Sequence, residues 1–259
     1  MFSSLSIIIP CYKEREVIAA SVATIDAYVR PRFERYEIII ITDGSPDGTR
    51  ETVDQLCQNR PDIPIRHIAF TRNRGKGAAV RAGFHAAQYE FVLMVDADLT
   101  IAITELDNFM PAIEHADLAI ASRLVPGTVF EEPSPFHRVL MARVFHILQI
   151  IILGNFEFSD TQCGFKLFRR ETVLPLFRVL TINRFAIDTE ILFLARRMNL
   201  RVAILPVRIQ RDIRNTNVRI FRDSLNMFGA LLKIRWNAWR GKYAIRPPLH
   251  RSSPMPSTE

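Results

Sequence analysis

Long apolar runs are missing from this 259-residue chain. None reaches the roughly 20 residues a bilayer-spanning helix needs; the nearest, Val144 to Phe156, is broken by His146, Gln149 and Gly154. Cysteine is scarce. Cys11, Cys57 and Cys163 are odd in number, far apart and without a C-x-x-C pair, which argues against a disulfide framework or a zinc site and points to a reducing compartment. The opening residues, MFSSLSIIIP, carry no basic segment ahead of the apolar stretch, so no secretory leader is expected. There is no internal repeat and no Walker-type glycine loop.

Apolar residues make up 48% of the chain, enough for the core of one large α/β domain. The net charge of +7 comes with an ordinary 24% of charged residues, so sign rather than density is unusual. Such a surface suits phosphates, anionic lipid headgroups or nucleic acid. The basic residues crowd between Arg196 and Lys242, which suggests a polyanionic surface beside that region. They are not interleaved with an exposed aromatic sheet face, so nucleic acid is not an expected partner.

Short β-branched runs alternate with helical stretches: Leu5 to Ile9, Glu37 to Thr42, Ile65 to Phe70, Phe91 to Val95 and Asp117 to Ser122 read as strands. The alternation predicts an α/β fold, a doubly wound, mainly parallel sheet with helices on both faces. Ligands gather at the carboxyl ends of such strands, where Pro10 to Glu14, Asp43 to Asp47, Arg72 to Lys76, Asp96 to Asp98 and Ser122 to Arg123 converge. Residues 124–136 have the composition of a mobile loop. From Phe136 to Leu153, Arg143, His146 and Gln149 draw one wet strip along an apolar helix, which is either buried or in a membrane interface. A helix over about 219–240 bears an apolar stripe from Phe221 to Trp239, with Arg222, Lys233 and Arg240 on one face; it packs on the domain or meets lipid headgroups. The expected layout is a catalytic domain over 1–215, an amphipathic extension over 216–243 and a disordered tail over 244–259.

Asp96 and Asp98 follow an apolar strand and cannot enter a core cheaply without a partner. Two such carboxylates at a strand's carboxyl end suit a hard divalent cation shared with a phosphorylated ligand, although an isolated D-x-D more often ends a strand in a solvated acidic turn. Oxygen ligands favour Mg²⁺ or Mn²⁺. Ala97 between them is too small to obstruct a ribose. Pro10, Tyr12 and Glu14 sit where strand gives way to helix, so the ring can stack on a base and the carboxylate can accept from base or ribose. Asp47 to Thr49 reads as a helix cap. In RNRGKG (Arg72 to Gly77) cations alternate with glycines, which makes Lys76 a candidate donor contact.

The segments SIIIPCYKE, EIIIITDGSPDGT, RNRGKGAAVRAGF, FVLMVDADLT, DTQCGFKLF and RFAIDTE, in this order, resemble the family 2 glycosyltransferases of the GT-A fold, and more narrowly the polyprenyl-phosphate (dolichyl-phosphate type) sugar synthases. The likeness runs from about residue 5 to 240. It implies an inverting, metal-dependent enzyme moving a hexose from a nucleotide sugar to a polyprenyl phosphate. The form of DTQCGFKLF and of the carboxyl-terminal helix is nearer the glucosyl than the mannosyl synthases, so UDP-glucose is the first expectation and GDP-mannose the alternative. A sugar nucleotidyltransferase is the rival class; it would place a glycine-rich loop where this chain has PCYKE.

The resemblance implies roles for individual residues. Pro10, Tyr12, Glu14, Ile41, Asp43, Lys76, Asp96, Ala97 and Asp98 would bind the donor, with Asp43 accepting from the base ring and Asp96 and Asp98 holding the metal. The family often has two acids where this chain reads Thr42-Asp43. Arg123 takes the position for the lipid phosphate, with Arg138 and Arg211 as further candidates. Relatives carry Ser-Lys after the last strand, whereas this chain reads Arg214 to Arg219 without lysine, so Arg219 is the expected replacement. Asp160 would orient a sugar hydroxyl or assist at the acceptor; with Asp98 and Arg123 it completes the expected catalytic set. Gln162 and Cys163 would shape the wall, and Asp188 and Glu190 would reach the sugar or the metal's surroundings unless they only start a helix. The expected setting is peripheral, on the cytoplasmic face of a membrane, with room for an integral membrane partner as anchor.

Overall fold

The computed structural model describes residues 2–132, 136–154, 158–210 and 220–244. Its sheet is built from the β-branched runs: β1 (Phe2–Cys11), β2 (Phe33–Asp43), β3 (Ile65–Phe70), β4 (Phe91–Met94), β5 (Leu118–Ser122), β7 (Lys166–Arg169) and β8 (Val202–Pro206). Helices α1 (Ile18–Val29), α2 (Thr49–Asn59), α3 (Lys76–Ala86), α4 (Leu106–Glu114), α6 (Arg170–Val179) and α7 (Ile187–Arg197) cover it. Both faces of the central strands are buried. Ile8, Ile39 and Ile41 pack with Phe84, Phe168 and Phe177 on one side, and Ile7, Ile9, Ile38 and Ile40 share the other with Phe109 and Phe165. That explains the unbroken isoleucine runs.

The strand order is β3-β2-β1-β4-β7-β5-β8, with every neighbour parallel except β7, which runs antiparallel to β4 and β5. β1 connects onward to β2 on one side and β4 connects onward to β5 on the other, so a crevice opens at the carboxyl ends of β1 and β4. A second pair, β6 (Val129–Phe130) with β9 (Arg208–Ile209), corrects the expectation of a wholly mobile 124–136 segment. Val129 N–H donates to Val207 O at 3.1 Å and the Thr128 hydroxyl to Ser122 O at 2.7 Å, so residues 128–131 are tied down beside β5.

The two long helices, α5 (Phe136–Leu153) and α8 (Ile220–Trp239), pack against each other; their side chains are described from 143 and from 226 onward. In α5 the wet strip is largely turned inward. Gln149 is buried, donating to Thr161 and Thr189 at 2.8 and 2.9 Å, while Val144, Ile147, Ile150 and Ile151 face out with Arg143. α8 buries Leu231, Ile234 and Ala238 and exposes Phe228, Leu232, Trp236 and Trp239, the last at 79%. Lys233, Arg235, Arg240 and Lys242 flank that stripe. Among the described residues no helix is long and apolar enough to cross a membrane.

Candidate active site

Four strand ends and one helix start meet at the crevice. At the end of β1, Tyr12 is exposed, with the Lys13 ammonium 5.7 Å from the centre of its ring. Pro10 is half-buried at the strand's end, and the Glu14 amide donates to the Thr49 hydroxyl at 3.0 Å. Asp47 does serve the start of α2: it accepts from Thr49 N–H and from the Thr49 hydroxyl, although the capping position itself is Gly48. Gly44, at φ +61°, lies so near the Arg72 backbone that an added Cβ would sit 2.3 Å from its carbonyl carbon. The loops after β2 and β3 are therefore in backbone contact.

Asp43 also holds a loop. Its buried carboxylate accepts from Arg74 N–H at 2.6 Å and Gly75 N–H at 2.7 Å, so both oxygens hold the RNRGKG loop in place. The Ile41 side chain is wholly buried with Ile8 and Phe84 in the core.

Asp96 and Asp98 follow β4 on a short loop, both part-exposed around a buried Ala97. The Lys76 ammonium, at the first position of α3, donates to Asp96 Oδ1 at 2.8 Å and lies 3.9 Å from Asp188 Oδ2. Burial pushes the Asp96 carboxyl up, but the charge and hydrogen bond of Lys76, with Lys166 and Arg123 behind it, leave it below the ordinary value. Lys76 is likewise opposed by burial yet held strongly protonated by Asp96 and Asp188. No group of three or more side chains of metal-ligating type occurs among the described residues. Two carboxylates alone fit Mg²⁺ or Mn²⁺, which keep waters and take substrate phosphate as ligand, and do not fit a protein-only cage.

The sequence reading missed Gly164, one residue before Phe165 in DTQCGFKLF. A Cβ there would lie 1.7 Å from Asp96 Oδ2. The Asp96 carboxylate can rest where it does only because this position has no side chain. Gly164→Ala is expected to keep its melting point near wild type, since a side-chain end rather than backbone must yield. Its turnover should fall by about 100-fold, the scale of a misplaced catalytic group. Wild-type turnover in that variant would show that the position of Asp96 is not critical.

On the acceptor side, Arg123 leaves β5 and meets Asp160 in a two-pronged ion pair, Nε to Oδ2 and an Nη to Oδ1, both at 2.8 Å. The Arg123 amide adds a third bond to Oδ2 at 2.8 Å. Asp160 is 4% exposed and Arg123 40%, so the carboxylate is enclosed while the arginine side chain keeps exposed surface. Such a fork is held rigid and can still grip a second oxyanion. Both oxygens of Asp160 thus accept from Arg123 and hold its guanidinium in place. Burial raises its carboxyl pKa, but the Arg123 hydrogen bonds and charge outweigh this and hold it below the ordinary 3.8. A depressed carboxyl stabilises the native state above its unfolded value and loses that contribution as pH falls through its folded value. Below about pH 4 the decline in melting temperature should be shallower in Asp160→Asn than in wild type, measured by thermal melts across the acid range.

Asp188 and Glu190 are both buried at the start of α7. Asp188 faces the site through Lys76, but Glu190 does not: its carboxylate accepts from Thr181 N–H and hydroxyl, Ile182 N–H and the Tyr243 hydroxyl. Four donors make it a junction between α7 and the end of α8. Arg138 lies in the first turns of α5, where side chains are outside those described, and Arg211 and Arg219 lie outside the described residues.

The family model described as Glycosyl transferase family 2 matches residues 6–176. The chain is 32% identical over 254 residues to a dolichyl-phosphate beta-glucosyltransferase of Dictyostelium discoideum, covering 93% of this chain and 77% of that one. It is 31% identical over 252 residues to the Homo sapiens protein of the same name, covering 91% and 77%. Among solved structures, mannosyl-3-phosphoglycerate synthase from Rubrobacter xylanophilus superposes with a TM-score of 0.65 at 17% identity, over 97% of this chain and 78% of that one. Glucosyl-3-phosphoglycerate synthase from Mycobacterium tuberculosis, in complex with Mn²⁺, UDP and glucosyl-3-phosphoglycerate, gives 0.61 at 18%, over 95% and 81%. These two structures share the fold. With the family match spanning most of the sheet and the crevice at its carboxyl edge, this chain belongs to glycosyl transferase family 2.

Proposed function

We propose that the chain transfers glucose from UDP-glucose to a polyprenyl phosphate, inverting the anomeric carbon and releasing UDP. The observation that carries the reading is the adjacency of two charge systems. Asp96, with Lys76, ends β4; Arg123, locked by Asp160, ends β5; only β7 separates these strands. Relatives about 30% identical over more than 90% of the chain, named for dolichyl phosphate and glucose, supply the substrate class.

A phosphomonoester has a second pKa of about 6, so near neutral pH its oxygen is already an anionic nucleophile and no strong general base is needed. What the site must provide is cations that let two polyanions meet. Arg123 would take the acceptor phosphate with its exposed surface. Lys76 would lie against the donor diphosphate, and Asp96 and Asp98 would hold Mg²⁺ or Mn²⁺. The ion supplies neutralisation of the diphosphate as it departs. One displacement from the face opposite the leaving group inverts configuration.

The outward apolar faces of α5 and α8 support a peripheral membrane site. Val144, Ile147 and Ile151 recur at three-to-four spacing, as do Phe228, Leu232, Trp236 and Trp239, and the basic residues beside them match anionic headgroups. A lipid-borne acceptor would then meet the crevice from the bilayer surface, on its cytoplasmic face.

The test incubates the chain with vesicles containing a polyprenyl phosphate, Mn²⁺ or Mg²⁺, and labelled UDP-glucose, UDP-N-acetylglucosamine or GDP-mannose in turn. Label from UDP-glucose should enter the lipid extract as the β-anomer. Label from another donor alone would reassign the sugar, and none from any would end the proposal.

A further inference from the structure

Lys166 is a lysine in the middle of the sheet. It pairs with Met94 of β4 on one side and Ile120 of β5 on the other, the strands that lead to Asp96 and to Arg123. Its side chain and that of Asp188 are each 1% exposed, and its ammonium donates to Asp188 Oδ1 at 2.7 Å. Two further bonds go to the carbonyls of Thr161 and Cys163, which flank the turn after Asp160. Stability does not account for such a pair, because exchanging a buried ion pair for well-packed apolar residues is commonly neutral or favourable. Location accounts for it better. One face of Asp188 holds Lys166 and the other lies 3.9 Å from Lys76, which in turn holds Asp96.

We infer that Lys166, with Asp188, is a positioning element: a single buried ammonium ties the Asp160 segment that orients Arg123 to the carboxylate that backs Lys76. It thereby sets the spacing between acceptor-side and donor-side charges. The inference rests on the transfer reaction proposed above and concerns two residues enclosed in the protein.

The experiment compares wild type, Lys166→Met and the apolar pair Lys166→Met/Asp188→Leu by melting temperature, kcat and both KM values. The single variant strands a buried carboxylate and should melt lower. In the double variant melting should return to the wild-type range while kcat stays down by about 100-fold, the scale of a small displacement of reacting groups, with KM for the nucleotide sugar changing far less. Recovery of both melting temperature and kcat would overturn the positioning role. Should the double variant not fold, Asp188→Asn is set beside Lys166→Met: its amide oxygen still accepts from Lys166, so the role requires a kcat at least about tenfold above that of Lys166→Met, and equal kcat values overturn it. A wild-type chain that transfers no hexose defeats the functional reading alone. In that event the crystal structure of the double variant decides: a displaced Asp160 segment supports the role, and one in its wild-type place overturns it.

Discussion

Asp98→Asn should abolish transfer while leaving the fold intact, with turnover down by on the order of 10³-fold, the cost of losing an electrostatic contact to charge that develops in the transition state. The reason lies in the division of labour on the β4 loop. Asp96 already accepts from Lys76, whereas Asp98 Oδ1 accepts from the Thr100 amide at 3.1 Å and is part-exposed. An asparagine keeps the acceptor for Thr100, so the loop is retained and only the charge is lost. Calorimetry with UDP should show Mn²⁺-dependent binding in wild type and little gain from Mn²⁺ in the variant. Full turnover by Asp98→Asn would refute the assignment of this pair to a divalent ion.

Arg123→Ala should have two effects that can be read separately. Removing the guanidinium takes away the charge that grips the acceptor, so KM for the polyprenyl phosphate should rise by one to two orders of magnitude, roughly the worth of a charge-assisted hydrogen bond, with donor binding little changed. It also leaves Asp160 enclosed without its partner. Breaking a buried pair from one side costs about 3–5 kcal/mol, and the 40% exposure of Arg123 places this case near or below the lower bound. The double variant Arg123→Ala/Asp160→Asn should therefore recover most of the lost stability, measured by urea denaturation, without recovering acceptor affinity. If acceptor affinity returned with stability, Arg123 would be a structural residue.

Much of the donor side was legible along the chain. Isoleucine runs ending in polar loops predicted the strands and the edge on which the loops meet, because a strand buried on both faces must be apolar throughout and ends where it stops being so. The D-x-D stood out for the same reason, as two charges directly after such a run. Tyr12 was named from its place at a strand end and Arg123 by the resemblance, and the structure leaves both with exposed surface. The boundaries of α5 and α8 followed from their apolar spacing, but the outward turn of their apolar faces did not. An apolar stripe tells a helix to hide that face without saying whether protein or lipid hides it.

Other features were invisible because they depend on pairings between distant segments. Nothing in KLFR announces an antiparallel strand between two parallel ones, yet β7 is what brings Gly164 against Asp96 and Lys166 between the two arms. A lysine flanked by Phe165 and Leu167 in a strand pattern was the available signal, since such a residue must find a buried partner. Asp43 and Asp160 were assigned to ligands by resemblance, and their bonds to backbone amides and to Arg123 appeared only in the fold. The same is true of the bonds of Glu190 to Thr181, Ile182 and Tyr243.

By itself the amino-acid order determined the first five strands, the two long helices and the set of loops at one edge, because hydrophobic periodicity acts over a few residues and needs no knowledge of distant neighbours. Which carboxylates stay available for a ligand and which are consumed in holding loops was decided only by the tertiary structure. A charged group's role follows from the partners within about 4 Å of it, and in this chain those partners are distant along it: 37 positions separate Arg123 from Asp160 and 84 separate Arg201 from Asp117.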